Sequence, residues 1–215
     1  MTAQPDVPSR PSSPDAPRGG PYDEAPGQLP ADGPDGHPAD EGRDGAPYEG
    51  EGGGPVAVAS ARLRAFVVDA ELEYEPGGRP GEAVVTLPGE KKLRTVVSVV
   101  IRKSTTYLSA FVIRHPDENE GAFYRFLLQR NLRMPVLAYA VDSTGDVYVR
   151  GEVPTPALDA DILDKVFGVV LQAADTPFND LLAIGFLTSM KKEWAWRIAR
   201  GESTYNLEAF RLLLE

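Results

Sequence analysis

Cysteine is absent from the 215 residues, which excludes disulfides, thiolate metal centres and thiol nucleophiles. Histidine occurs only as His37 and His115, and with no Cys beside them a structural zinc tetrahedron has no support. No segment approaches the ~20 consecutive apolar residues that cross a bilayer. No basic start followed by an apolar stretch marks a secretory leader. The expectation is a cytoplasmic protein without a membrane partner. Clustered Lys and Arg are missing too: 22 basic residues stand against 32 acidic ones, for a net charge of −10. Duplex nucleic acid, whose phosphates need clustered cations, is therefore not the expected partner. No glycine-rich phosphate loop appears either. The run Gly52-Gly53-Gly54 opens no strand–helix unit with a following Lys-Ser or Lys-Thr, and it reads as a linker.

Large aliphatic side chains are scarce at one end. Positions 1–55 hold 12 Pro, 11 Gly, and 11 Asp/Glu against 3 Lys/Arg, with only Met1, Val7 and Leu29 as large aliphatic residues. Such a segment cannot offset the entropy of ordering its backbone. The sequence predicts a disordered acidic tail over 1–55, either a solubilising spacer or a docking arm for a basic surface. A single domain over 56–215 follows, nearly neutral, and large enough for a core without staples.

Within that domain, Leu63, Phe66, Val67 and Ala70 recur at helical spacing behind Ser60, predicting a helix over 61–71. Pro76-Gly77-Gly78 and Pro80-Gly81 break it. Three strands are expected at 83–87, 93–101 and 106–113. Leu93, Thr95, Val97, Val99 and Ile101 share one face of the second. Arg94, Val96, Ser98 and Val100 share the other, so both faces are expected to be at least partly covered. Asp117 is placed as the cap of a helix reaching Arg130, with Phe123, Phe126, Leu127 and Arg130 on one side. A hairpin over 136–141 and 146–150 turns at Ser143-Thr144-Gly145. Asp159 caps the next helix, and Thr176-Pro177 starts another that runs, bent, to Arg200 and stops at Gly201. Asn206 is placed as the cap of a last short helix holding Leu207, Phe210 and Leu213. Strands arranged in hairpins, with helices segregated from them, define an α+β class.

The segments Val84-Val85-Thr86-Leu87-Pro88-Gly89, Phe111-Val112-Ile113-Arg114-His115-Pro116-Asp117-Glu118-Asn119 and Leu127-Leu128-Gln129-Arg130-Asn131 resemble the YbjN family. So do Gly145-Asp146-Val147-Tyr148 and Glu193-Trp194-Ala195-Trp196-Arg197. The resemblance covers about 60–215, and it is to members with an added helical C-terminus. It implies an antiparallel sheet flanked by helices, like the type III secretion chaperones, and a role labelled sensory-transduction regulation. Those chaperones are homodimers that hold extended segments of other proteins. The resemblance carries no catalytic or ligand residues.

The residues themselves offer little chemistry. His115 lies between a strand and Pro116 with no partner set by spacing, and it reads as a surface loop histidine. Asp142 and Asp146 around Ser-Thr-Gly suit a hairpin turn better than a calcium loop. Asp159 and Asp161 read as helix-end charges. No catalytic residue, cofactor or metal site is expected. One stretch stands out: Lys191, Lys192, Trp194, Trp196, Arg197 and Arg200 are basic and aromatic in an acidic chain. If helical, one Trp faces the core and the other faces out. Trp194, Trp196, Arg197 and Arg200 are the expected partner-binding residues, against the plainer reading of a packed late helix. The leading expectation is a non-enzymatic, homodimeric adaptor or chaperone-like regulator binding another polypeptide through a hydrophobic sheet or helix surface. The alternative is a small-ligand sensory domain with a closed pocket. An enzyme using Arg114, His115 and Asp146 comes last.

Overall fold

The computed structural model describes residues 53–214. The tail expected over 1–55 therefore falls almost entirely outside the described residues. The order of elements is α1 (Pro55–Asp69), β1 (Glu73–Pro76), β2 (Glu82–Pro88), β3 (Arg94–Ile101), β4 (Thr105–Ile113), α2 (Glu120–Asn131), β5 (Leu137–Val141), β6 (Val147–Pro154), α3 (Ala160–Asp175), α4 (Phe178–Gly185), α5 (Leu187–Arg200) and α6 (Arg211–Leu214). The six strands form one antiparallel sheet in the order β1-β2-β3-β4-β6-β5. This is the α+β class expected.

Burial alternates residue by residue along the strands. Ala83, Val85 and Leu87 of β2, Thr95, Val97, Val99 and Ile101 of β3, and Leu108 and Ala110 of β4 point into the core with Val147, Val149 and Val153 of β6. There they meet Ala59, Leu63 and Val67 of α1, Phe123 and Leu127 of α2, and Leu163, Val166, Phe167 and Val170 of α3. Period-2 strands and 3.6-period helices thus bury one face each against one another. Asp159 caps α3, accepting a 2.9 Å bond from Ile162 N–H. Gly201, at φ 67°, ends α5 as expected.

Several boundaries differ from expectation. The first helix begins at Pro55, in a first-turn position, so Ser60 lies inside it rather than capping it, and Ala59 is buried. An additional edge strand, β1, pairs along its length with β2. Leu93 precedes β3 and is 83% exposed. Asp117 does not cap α2, because its carboxylate is held by Arg114. The helix starts after Asn119, whose backbone is left-handed at φ 54°. Thr176 closes α3, leaving Pro177 ahead of α4. At the C-terminus Leu214 is buried in place of Leu213.

Both edges of the sheet are blunted, β1 by its length and composition and β5 by covered backbone groups. β1 has four residues, two of them Glu, and ends in Pro76. At the other edge Asn131 reaches from the end of α2 to β5. Its Oδ1 accepts the Tyr139 N–H at 2.8 Å and its Nδ2 donates to the Tyr139 carbonyl at 3.3 Å. Leu137 N–H is taken up by Pro135 O at 2.7 Å. Short length, charge, proline and covered backbone groups are the usual means by which edges are blunted.

Candidate protein-binding surface

The strand residues that do not enter the core form a second sheet face. It holds Val84 and Thr86 of β2, Val96, Ser98 and Val100 of β3, and Tyr107, Ser109 and Phe111 of β4. Tyr148, Arg150 and Glu152 of β6 and Ala138 and Ala140 of β5 complete it. All of these are half-buried or exposed, whereas every alternate neighbour on β2 and β3 is buried. The helices lie on one face only, and Val96, Ser98 and Val100 on the other face of β3 are half-buried, in keeping with the expectation that both faces are at least partly covered. Such a pattern is normal for antiparallel sheets, but their open faces are ordinarily polar. Here the centre is apolar. Val84 stands opposite Ser98, Ser98 opposite Ser109, Val100 opposite Tyr107, and Phe111 opposite Tyr148. The Phe111 and Tyr148 rings meet edge to face with centroids 5.6 Å apart. Ser98 and Ser109 lie between Tyr107 on one side and the Phe111–Tyr148 pair on the other. Four carboxylates edge this face, Glu73 and Glu75 of β1, Glu82 of β2 and Glu152 of β6, alongside the cations of Lys92, Arg94, Arg150 and Arg102, the last 3.9 Å from Glu82.

One end of this face is tied down by Lys92. Its ammonium donates to the carbonyls of Phe111 and, at 2.9 Å, of Val112, where the β4–β6 register shifts, and lies 5.1 Å from the Phe111 ring centroid. Burial pulls its pKa down to about 8, with nearby Asp175 opposing the shift. Asp175 Oδ1 also accepts the Lys91 and Lys92 backbone N–H groups at 2.8 Å, fixing the β2–β3 loop to the end of α3.

The Arg114–His115–Asp117 segment, quoted for the family resemblance, is a structural junction. Arg114 grips Asp117 with two bonds of 2.7 and 2.9 Å and stacks on Phe186 at 4.5 Å. Asp117 also accepts from Ser189 Oγ at 2.7 Å, and Glu118 accepts Thr188 N–H at 2.6 Å and Thr188 Oγ1 at 2.7 Å. Two carboxylates thus meet the N-terminus of α5, where the helix dipole favours them. The Arg114 bond holds the Asp117 pKa below the usual carboxylate range, and the Thr188 N–H bond does the same for Glu118. Asp146, grouped with Arg114 and His115 as a conceivable catalytic set, instead accepts the His115 backbone N–H at 2.8 Å. The His115 ring lies against Gly145, and its Nε2 is 4.0 Å from Glu120. Asp142 holds the hairpin turn, accepting from the Thr144 and Asp146 N–H groups at 2.9 Å, in agreement with the turn reading.

The four partner-binding residues expected from the sequence lie on α5 and divide between its sides. Trp194 packs against the core and Trp196 faces out at 38% exposure. Arg197 is engaged within the chain, bonding Glu193 at 2.6 and 2.9 Å and the Ser203 carbonyl at 2.7 Å. Arg200 stacks on Trp196 at 4.8 Å and pairs with Glu202 at 3.1 Å. The sheet-face residues were legible as the alternate set of the 93–101 strand, but nothing local in the sequence distinguishes a bare face from a covered one.

The fold and this surface define a class, an α+β protein with helices on one side of an antiparallel sheet and a half-buried, partly apolar face on the other. Residues 59–183 match the YbjN family, described as "Putative bacterial sensory transduction regulator", and the chain belongs to that family. An uncharacterised protein of Mycobacterium tuberculosis is 47% identical over 145 residues, 66% of this chain and 79% of the relative. Among solved structures, the ExsC–ExsE complex is similar with a TM-score of 0.44 and 18% identity, covering 59% of this chain and 95% of that one. The Yersinia pestis type III secretion chaperone SycH, in complex with a fragment of a second protein, is similar with a TM-score of 0.39 and 18% identity, covering 54% and 96%.

Proposed function

We propose that this protein is a non-catalytic, cytoplasmic adaptor that acts as a homodimer and binds a polypeptide on its open sheet face. The observation that carries the reading is the apolar centre of that face, Val84, Val96, Val100, Tyr107, Phe111 and Tyr148, on the side of the sheet away from the helices. These side chains are half-buried, with Tyr107 exposed among them, and apolar groups gathered on a face that no helix covers suit an interaction site. The blunted edges direct a partner to the face, since they offer main-chain strand addition little to extend. Of the residues expected on α5, Trp196 and Arg200 stand outward and supply a second contact, while Trp194 and Arg197 position them. The small-ligand alternative draws less support, because a recess of about 680 Å³ between the end of α2 and α3 is open to solvent rather than enclosed.

The test is a photo-crosslinking amino acid at Tyr107, with the same group at Val68 on the outer side of α1 as control, in the protein's own host cell. A discrete adduct with a second polypeptide is expected from position 107 only, and it should disappear with Val100→Glu. Equal adducts from both positions, or none from 107, would overturn the proposal.

A further inference from the structure

The adaptor reading leaves the recess between the end of α2 and α3 without a role. It lies on the helix-bearing side of the sheet, away from the open face, and its volume of about 680 Å³ is that of a small-molecule site. Its apolar members Phe126, Met134 and Val169 are half-buried, whereas Arg133, Gln129 and Gln172 are exposed. The recess therefore grades from an apolar inner wall to a polar mouth. No carboxylate lines it among the described residues. Two stand beside it. Asp180 is 3.6 Å from Arg130 Nη2, and Asp175 is taken up by the Lys91 and Lys92 N–H groups. Lys91 Nζ adds a cation at the Thr176 carbonyl, 2.7 Å away. In a chain of net charge −10 the surroundings of this recess are thus rich in cations.

Its two arginines are short of acceptors. Arg130 stacks on Phe126 at 4.4 Å, its Nε is buried without a hydrogen-bond partner, and Asp180 stands beyond hydrogen-bond reach. A buried donor left unpaired is costly. The Arg133 guanidinium has no hydrogen bond or ion pair among the described residues. Next to them the backbone is strained. Val136 sits at φ 67°, where a β-branched residue is an outlier, and the Leu137 N–H donates across it to Pro135 O at 2.7 Å. Strain of this kind persists where the surroundings impose it, and it gathers at ligand sites. Here it sets the Met134–Pro135 wall of the recess. We infer that the recess binds an organic anion with an apolar body, its carboxylate on Arg130 and Arg133 and its hydrocarbon along Phe126, Met134 and Val169. A planar carboxylate matches the guanidinium fork and brings the acceptors that both arginines lack. Openness to solvent speaks against a sealed sensory pocket, but it suits an amphiphile whose charged end stays at the mouth. The site goes beyond the adaptor reading and does not depend on it.

Decanoate is the probe, with acetate and decan-1-ol standing for its two halves. Titration calorimetry on the full-length protein, Arg130→Gln and Arg133→Gln reads affinity, and amide chemical shifts read the place of binding. Decanoate is expected to bind as a single molecule and to shift the side-chain amides of Gln129 and Gln172 with the backbone amides of 132–134. Each arginine variant should bind it about tenfold more weakly or worse, since a desolvated charge pair is lost. Acetate, lacking the body, and decan-1-ol, lacking the charge, should fall behind decanoate by about the same factor. Thermal melts check folding. Because the Arg133 side chain is exposed, its substitution keeps the test decisive should Arg130→Gln unfold. No binding of decanoate overturns the inference. So does equal affinity of the parent and Arg133→Gln, decan-1-ol binding as tightly as decanoate, or shifts at Tyr107 and Phe111 in place of the recess. Crosslinking from position 107 is read separately, so the adaptor reading stands or falls on its own result.

Discussion

Lys92 concentrates several opposing effects in one side chain. Burial disfavours its charge, while two carbonyls at the β4 irregularity and the Phe111 ring favour it. Its folded pKa of about 8 lies below the ordinary 10.5. Below about pH 8 both folded and unfolded chains hold the proton, and the full burial penalty is present. Between about 8 and 10.5 the unfolded chain keeps its proton and the folded chain loses it, so stability rises with pH. A shift of that size corresponds to about 3 kcal/mol. Denaturant unfolding of the parent and of Lys92→Met across this range should show that rise in the parent and its absence in the variant. Parallel curves would show that Lys92 titrates as an exposed lysine.

At the scale of elements, Asn131 decides what β5 can do. Its amide satisfies the outward N–H and carbonyl of Tyr139, and the Tyr139 hydroxyl in turn donates to Ala173 O at 2.7 Å. Burial raises the Tyr139 pKa to about 12, so that donor stays protonated at neutral pH. Asn131→Ala should cost about 1–2 kcal/mol in denaturant unfolding, the penalty for leaving partly buried backbone groups unpaired. It should also speed aggregation of the native protein, since an edge with unpaired groups is a template for another strand. An Asn131→Ala protein as stable and as soluble as the parent would show that Pro135 and the β5 length alone close the edge. The same logic holds for Gly145 in the β5–β6 turn. Its backbone is at φ 91°, and a Cβ there would stand 2.1 Å from His115 Cδ2, so the turn and the family segment bearing His115 accept only glycine at this point.

Over the whole molecule, the helical C-terminus is joined to the family core at a polar junction. Arg114, Asp117, Glu118, Thr188 and Ser189 form it, with Phe186, Met190 and Leu207 buried. Because the Asp117 carboxylate is depressed in the folded state, its contribution is complete above the ordinary aspartate range. It is lost as acid takes the solution down through the folded pKa. Amide hydrogen exchange should therefore show residues 187–214 losing protection ahead of the sheet only once the pH falls below the ordinary aspartate range, and Asp117→Asn should lose it at neutral pH. The cost of that substitution is about 1 kcal/mol, because the pair is partly solvated. Uniform loss of protection over sheet and C-terminus would show that the two unfold as one unit.

Much of this protein follows from local chemistry along the chain. Period-2 alternation placed the core strands. Asp159 and Gly201 ended helices where their backbone preferences put them, and the basic-aromatic stretch fell on a helix with one Trp inward and the other outward. These properties depend on neighbours a few residues away. Other features depend on groups far apart in the chain. Asp117 has the local form of a helix cap, yet Arg114 and Ser189 claim it, and only folding brings residue 189 to residue 117. β1 carries too little apolar character to be read as a strand, and it forms because β2 offers it a pairing edge. Val96, Ser98 and Val100 look the same in sequence whether a helix lies over them or not. The tertiary structure left them half-buried with no helix over them, because α1 and α3 each turn a single apolar stripe to the same side of the sheet.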